Sequence, residues 1–499
     1  LLVIVAGNFK TKDLGFTKIH EIRIDSICDL IFMYNKITPS ILEQLKKIVG
    51  DENVFTDEEK LKQYSHDETE ELVFIPEVVV KPATPQEISE ILKLANKELV
   101  TVTPRAAGTG LSGGALPIFG GIILSVERFN KILEIDERNL QATVEPGVIN
   151  EVFQNAVIEK GLFYPPDPAS KGSCFMGGNI AENSGGPKCV KYGVTKDYVL
   201  NLEVVLPTGE IVFTGANTLK NSTGYNLTQL MVGSEGTLGI VTKIIVKLLP
   251  YPKHNLLMLV PFRNTEEACK AVSEIFRAGF TPSALEFMER DALDWVCKYV
   301  QDSTIKLEDD IQAHLLIEVD GNDVEILMRD MEAIGDVVSR FNISEILFAE
   351  SAAQKAELWK LRRKINEAVK ATAISKEQDT VVKRAELPAL IKGIKEIGVR
   401  YNFKSVCYGH AGDGNLHTRM IKGDMPDELW NGEHIKKAIA EIFLLCKKLG
   451  GTISGEHGIG LIQQEYMPLI FTEKSLEIQR NIKKVFDPNN ILNPGKIFN

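Results

Sequence analysis

The chain has 499 residues, 44% of them hydrophobic and 25% charged, the make-up of an ordinary globular protein with a large core and two or three domains. Its net charge of -11 sets aside nucleic acid and anionic membrane surfaces as main partners, and no basic run restores either. No stretch reaches the ~18 apolar residues of a membrane-crossing helix, and the short apolar Leu1–Ala6 lacks the basic flank of a signal peptide. Seven scattered cysteines without Cys-x-x-Cys spacing argue for reduced thiols and a cytoplasmic location, and give no support to an iron–sulfur cluster.

Residues 1–32 read as an extension detached from the rest of the chain, and its status stays open between an expression scar, a translated leader and a docking arm. Met33 reads as a natural beginning, with Ser40 expected to cap a helix over Ile41–Val49. Thr84-Pro85-Gln86-Glu87 combines an N-cap, a proline at N1 and a glutamate at N3, and Ile88, Ile91, Leu92 and Ala95 supply the apolar stripe behind it. A strand over Leu99–Thr103 then delivers Pro104–Gly114, which places four glycines in the seven residues from Gly108. That loop lacks the Gly-Lys-Ser/Thr ending of a Walker loop and leads into a strand, not a helix. By itself it is either a glycine-rich surface turn or a nest of backbone N–H groups for pyrophosphate.

Beyond it, Lys131–Ile135 and Leu140–Val144 flank a turn, and Asn150–Lys160 is a helix stopped by Gly161. Residues 161–188 form a second dense stretch, rich in Gly, Pro, Asn and Ser, expected to be mostly irregular. Val199–Leu206 and Glu210–Phe213 make a hairpin, and Gly233–Ile240 runs into the strand Val241–Leu249. After Tyr251–His254 the pattern changes to strand–helix–strand twice, which predicts a ferredoxin-like antiparallel sheet with helices on one face. Helices over Ala352–Ala373, Pro388–Gly398, Ile435–Leu449 and Ser475–Val485 complete the pattern.

The chemistry concentrates in two glycine-bounded motifs. Gly409-His410-Ala-Gly-Asp-Gly-Asn415-Leu-His417 sets two histidines on either side of a turn, and Gly455-Glu456-His457-Gly458 adds a carboxylate and a third imidazole. Two histidines and a glutamate suit a divalent transition metal such as Zn, Mn or Fe and leave positions open for a substrate. Asp413 is an alternative carboxylate that would equally shape the turn. His20, His66, His254, His314 and His434 lack such neighbours.

Taken jointly from Met33 to Asn499, the loops at 104–114, 161–188 and 233–240 and the His/Glu motifs resemble the FAD-linked 2-hydroxy-acid dehydrogenases of the vanillyl-alcohol-oxidase (PCMH-type) flavoprotein superfamily. The members most resembled are the D-lactate dehydrogenase and glycolate oxidase catalytic-subunit types, with D-2-hydroxyglutarate dehydrogenase further off. The resemblance implies an α+β fold. A PCMH-type FAD-binding domain would span 33–252 and a ferredoxin-like substrate (cap) domain 253–449. A C-terminal segment, 450–499, would return to the FAD domain and complete the active site.

The resemblance also implies roles. Arg105, Ala107, Gly108, Thr109, Gly110, Leu111 and Ser112 would hold the FAD pyrophosphate. Pro166, Asp167, Ser170, Gly178, Asn179, Asn183 and Gly185 would follow the flavin ring and ribityl chain, with Glu235, Gly236 and Ile240 closing over the nucleotide. His410, His417 and Glu456 would be metal ligands, His457 the general base, Arg362 the substrate-carboxylate anchor and Asn415 a substrate or metal contact. A second cationic substrate contact, at Lys376, Lys383 or Arg384, departs from the family's pattern. The loop at 104–114 has no histidine to attach the flavin, so non-covalent FAD is expected.

The reaction implied is oxidation of a 2-hydroxy acid, D-lactate favoured, by hydride transfer to FAD. Electrons would pass to a separate acceptor, favoured to be an electron-transferring flavoprotein, coupling lactate oxidation to NAD⁺ reduction; a quinone or an iron–sulfur partner is the alternative. A homodimer or a hetero-complex is expected, and a non-catalytic FAD-binding subunit is the competing class.

Overall fold

The computed structural model describes residues 34–300 and 308–498, so the reading of residues 1–32 lies outside the described residues. The first helix among the described residues is Pro39–Val49, and its cap is Thr38, whose hydroxyl accepts from Ile41 N. Ser40 was the expected cap, but Thr38 precedes a proline that fits the first helical turn, and this places the boundary two residues earlier. The Pro85–Glu98 helix starts at Thr84 as its sequence predicts and buries Ile88, Ile91, Leu92 and Ala95.

The N-terminal half is built on two sheets. Strands β1 (Val54–Phe55), β2 (Val78–Val80), β3 (Val102–Arg105) and β4 (Ile122–Ser125) form a four-stranded sheet in the order β1-β2-β4-β3, with β4 parallel to both its neighbours. Next in the chain come β5 (Ile132–Asp136), β6 (Gln141–Val144), the two-residue β7 (Leu162–Phe163), β8 (Val199–Val205), β9 (Ile211–Phe213) and β10 (Ile240–Lys247). Five of these make an antiparallel sheet ordered β5-β6-β10-β8-β9, while β7 pairs with β11 (Leu249–Pro250). The stretch 161–188 is more regular than its composition suggests, because it contains the helix Met176–Glu182. Gly177 and Gly178 disfavour a helix intrinsically. Tertiary fit overrides that cost: a Cβ on Gly177 would lie 2.6 Å from Pro146 Cβ.

Strands β12 (His254–Phe262), β13 (Ala284–Glu289), β14 (Ala313–Gly321), β15 (Leu347–Phe348), β16 (Ser375–Val381), β17 (Lys404–Gly409) and β18 (Asn415–Ile421) form one seven-stranded antiparallel sheet. Its order is β15-β12-β14-β13-β17-β18-β16. The first four strands have the ferredoxin-like arrangement, and the other three extend it from the β13 edge.

The helices do not stay on one face. Met258, Val260 and Phe262 pack with the helices Thr265–Arg277 and Val324–Val338, while Leu257 and Leu259 pack with Arg290–Val300 and Ala352–Thr372. Residues 256–260 of β12 are apolar without a break, so both faces demand cover.

The last residues return to the first sheet. Leu461 N donates to Ser112 O at 2.8 Å, Asn493 N to Val102 O at 2.7 Å, and Ile491 and Leu492 join the core of the four-stranded sheet. Among the described residues no helix is long and apolar enough to cross a membrane.

Candidate functional site

A cavity of about 660 Å³ runs between the glycine loop after β3 and the Met176–Glu182 helix, reaching Glu456 and His457. Its wall includes Arg105, Ala107, Gly108, Thr109, Gly110 and Leu111 from the loop. Ser170, Gly178, Asn179, Glu235, Gly236 and Ile240 also line it. A Cβ on Gly236, whose φ is +66°, would sit 2.6 Å from Pro104 Cγ, so glycine is required where this turn crosses the entry to the loop.

Five residues expected along the cofactor lie behind that wall. Ser112 is buried, its carbonyl taken by Leu461 N. Pro166 O accepts from Asn150 and Gln154. Asp167 accepts from Arg363 at 2.8 Å in a neighbouring cleft. Asn183, in the left-handed region with φ +54°, uses its side chain to accept from Lys196 N at 2.9 Å. Gly185 faces the histidine cluster instead, since a Cβ there would lie 2.9 Å from Glu456 Oε2. The Ser112 and Pro166 carbonyls and the Asn183 side chain are thus engaged by protein, whereas Ser112 Oγ and Asp167 Oδ1 are buried without a hydrogen-bond partner among the described residues.

The cluster itself arises from strand register. On β18 the period of two puts Asn415, His417 and Arg419 on one face. On β16 the directly opposite residues are Val381, Asp379 and Glu377. His410 follows the end of β17, and the turn Ala411–Asp413 brings it back towards His417. The two imidazoles are edge-on with centroids 5.6 Å apart, and each Nε2 lies 3.4 Å from Glu456 Oε1. These three donor atoms lie within 4.8 Å of one another. Asp413 is not among them; burial pushes its carboxyl up to about 7. His457 stacks on His417 at 5.1 Å and 17°, so it adjoins the triplet and opens on the cavity.

Both imidazoles are held from behind by a buried carboxylate. His410 Nδ1 is 2.9 Å from Glu286 Oε1, and His417 Nδ1 is 3.2 Å from Glu377 Oε1. Each carboxylate is in turn held by an arginine. Arg362 Nε donates to Glu286 Oε2 at 2.7 Å, and Arg419 pairs with Glu377 across the β16–β18 register. Arg362, itself buried, is therefore fixed by Glu286 through Nε and through Nη2, which lies 2.6 Å from the same oxygen, so that Nη1 is the nitrogen of its fork not turned on Glu286.

Asn415 is also engaged by protein: its Nδ2 donates to Asp379 Oδ1 at 2.7 Å, which turns it from a substrate towards the carboxylate that organises the loop. The other oxygen, Asp379 Oδ2, accepts from the backbone N–H groups of Gly455, Glu456 and His457 at 2.7, 2.8 and 2.9 Å. That carboxylate fixes the loop carrying Glu456 and His457.

The electrostatics follow from these contacts. Burial pushes His410 and His417 down, but the carboxylates around them outweigh it. His410 ends well above its ordinary value and His417 at about 9. Burial pushes Glu456 up, and the two imidazoles pull it well below the usual carboxylate range. Glu286 is likewise lowered against its burial by His410 and Arg362. Two imidazole nitrogens, one carboxylate oxygen and a buried carboxylate behind each ring fit a divalent transition metal. Glu286, Glu377, Asp379 and Arg419 were not legible as site residues in the sequence; the opposite charges at Glu377 and Arg419 gain meaning only once the register is known. His314, in contrast, is a buried core imidazole on β14, lowered to about 3 by burial.

Two sheets flanking a glycine-lined cavity, capped by a third that carries the histidines, define a flavoenzyme fold. The solved structure of p-cresol methylhydroxylase shares it, with a TM-score of 0.72 at 19% identity over 91% of this chain and 96% of that one. The chain belongs to the FAD-linked oxidase family: residues 76–215 match the FAD binding domain and residues 251–497 the C-terminal domain of FAD linked oxidases. It is similar to glycolate oxidase subunit GlcD of Bacillus subtilis, 42% identical over 93% of this chain and 97% of the relative. It is also similar to D-lactate dehydrogenase of Anaerostipes hadrus (38%, covering 93% and 98%) and to D-2-hydroxyglutarate dehydrogenase of Stutzerimonas stutzeri (33%, covering 92% and 99%). The protein is thus an FAD-linked oxidoreductase.

Proposed function

We propose that the protein oxidises a short 2-hydroxy monocarboxylate, D-lactate in the first instance, with a divalent metal held by His410, His417 and Glu456. The observation that carries this reading is the convergence of those three donors beside His457, at the end of the flavin cavity. The names of the relatives, all acting on 2-hydroxy acids, support the substrate class.

The choice of a monocarboxylate rests on where the three candidate second cations point, since Arg363 and Lys370, which line the cavity, pair with Asp167 and Glu68. Lys376 Nζ lies over the Trp430 ring at 5.4 Å, and Arg384 stacks on Phe276 at 3.7 Å. Lys383 packs beside Gly450, where a Cβ would lie 2.9 Å from its Cε. None of the three is directed at the cluster as a receptor for a second carboxylate, which disfavours a dicarboxylic substrate. Glycolate is the second reading, favoured by the 42% identity to a glycolate oxidase subunit.

The chain's own residues then divide the work. Arg362, oriented by Glu286, presents its remaining N–H donors to the substrate carboxylate. The ring of His457, whose backbone is clamped by Asp379, takes the hydroxyl proton. The metal, when bound, would polarise the hydroxyl oxygen, and FAD, when bound, supplies the two-electron acceptor. Non-covalent FAD suits a loop whose wall residues from Arg105 to Leu111 include no histidine. Reoxidation by a separate protein, an electron-transferring flavoprotein, suits a chain whose cysteines have no cluster spacing.

The test is anaerobic flavin reduction of metal-defined holoenzyme by a panel of D- and L-2-hydroxy acids. The expected order is D-lactate first, glycolate next and D-2-hydroxyglutarate slow. Fast bleaching by D-2-hydroxyglutarate alone would overturn the substrate assignment.

A further inference from the structure

The flavin cavity contains a carboxyl group that the roles above leave unused. Glu182 ends the Met176–Glu182 helix and lines the cavity. Its Oε1 faces the glycine loop: a Cβ on Gly114 would lie 3.2 Å from it, and one on Gly110 4.0 Å. Its Oε2 is buried and has no hydrogen-bond partner among the described residues. On its other side Glu182 meets a second carboxyl group. A Cβ on Gly458, whose φ is +76°, would collide with Glu182 Oε2 and lie 3.0 Å from Glu235 Oε1. The two acids therefore converge on this glycine.

The two are not equivalent. Glu235 is equipped to be an anion, because its oxygens accept backbone N–H groups from Ile459 at 2.8 Å and Gly460 at 2.7 Å. Glu182 has no such donors. Asp67 is a third acid nearby, with Oδ1 accepting from Thr69 N at 2.9 Å. The cations around them are committed elsewhere: Lys496 Nζ donates to Leu116 O at 2.7 Å, and Arg105 donates to His66 O at 2.8 Å. An ionised Glu182 would thus face Glu235, Asp67 and, with cofactor in place, a pyrophosphate, with no donor of its own.

We propose that Glu182 is held as the neutral acid and that its carboxyl O–H donates to a phosphate oxygen of the bound dinucleotide, making it part of the cofactor cradle. Burial and the negative charge of Glu235 and Asp67 both push Glu182 well above the usual carboxylate range. Burial also pushes Glu235 up, its two backbone donors and Lys496 offset part of that rise, and it ends at about 7. A helix end, a glycine loop and the C-terminal segment thereby meet at one proton. The inference rests on the cavity being the FAD site and is independent of which 2-hydroxy acid is oxidised.

Binding to the apoprotein tests it, with FAD followed by fluorescence quenching and ADP as a second probe. Wild-type binding of FAD tests the site itself; the variants test Glu182. Glu182→Gln keeps a neutral N–H donor, and both dissociation constants should stay within about threefold of wild type. Glu182→Ala removes the donor and should weaken both by about tenfold or more. Infrared difference spectra should show the carbonyl stretch of a protonated carboxyl that shifts on FAD binding and is absent from Glu182→Gln.

Tighter binding by Glu182→Gln than by wild type would mean an ionised, repelling carboxylate and would overturn the proposal. So would a Glu182→Gln variant as weak as Glu182→Ala, a Glu182→Ala variant equal to wild type, or the lack of a Glu182-dependent carboxyl band.

Discussion

The glycine loops around the flavin cavity and the charged cluster at β16–β18 reach their order by different means. In the loops the backbone does the binding, and glycine is needed where neighbouring chain leaves no room for a Cβ, as at Gly236. In the cluster the side chains form the proposed site, and each needs another behind it. His410 leans on Glu286 and Arg362, and His417 on Glu377 and Arg419. Charges buried this deeply are tolerated only when paired, and removal of one partner strands the other. Single substitutions should therefore act locally in the loops and through a whole chain of contacts in the cluster.

The largest expected effect is at the proposed ligands. His410→Ala or Glu456→Gln should abolish metal retention and flavin reduction while FAD stays bound, read by metal analysis and the flavin spectrum. Loss of FAD from these variants would break the separation between the two regions.

Next come the supports. Glu377→Gln or Arg419→Met should lower metal affinity on the order of 10–100-fold, measured by chelator competition, although neither residue is a proposed ligand of the triplet. Folding should suffer as well, by roughly 3–5 kcal/mol, because one member of a buried pair is left behind. Arg362→Lys should be milder: a point charge replaces a planar fork, so the KM for D-lactate rises by about tenfold or more while metal binding is retained.

The smallest effect is in pH. His417 in metal-free protein sits at about 9, above its ordinary 6.5. A raised imidazole contributes stability that is fully present below the unfolded value and lost as pH rises through the folded one. Metal-stripped protein should therefore lose thermal stability between about pH 6.5 and 9. Saturating metal should remove that loss, since a ligating imidazole carries no proton to release.

The sequence shows the two regions with unequal clarity, for physical reasons. Glycine density at 104–114 marks a backbone site directly, and the Gly-bounded His410, His417 and Glu456 mark a side-chain site. Strand β16 stayed hidden because Lys376-Glu377-Gln378-Asp379 looks like solvated loop, yet Gln378 and Asp379 are buried and Glu377 nearly so. Its charges face Arg419 and the loop at 455–457, partners far away in the chain that no local pattern reveals. Arg362 and Asn415 were singled out only through the family resemblance, as contacts to substrate or metal, while their engagement with Glu286 and Asp379 required the fold. The helix Met176–Glu182 was masked by its two glycines, whose fit against Pro146 and Ala106 is a tertiary matter.

The central claim is that the β17–β18 histidines and Glu456 hold a metal without which the substrate hydroxyl is not activated. It is tested most directly by anaerobic stopped-flow mixing of D-lactate with FAD-loaded, metal-stripped protein, before and after one equivalent of Mn²⁺, Zn²⁺ or Fe²⁺. The account predicts no flavin bleaching in the stripped protein and restored bleaching with metal. Full-rate bleaching of the stripped protein would contradict it.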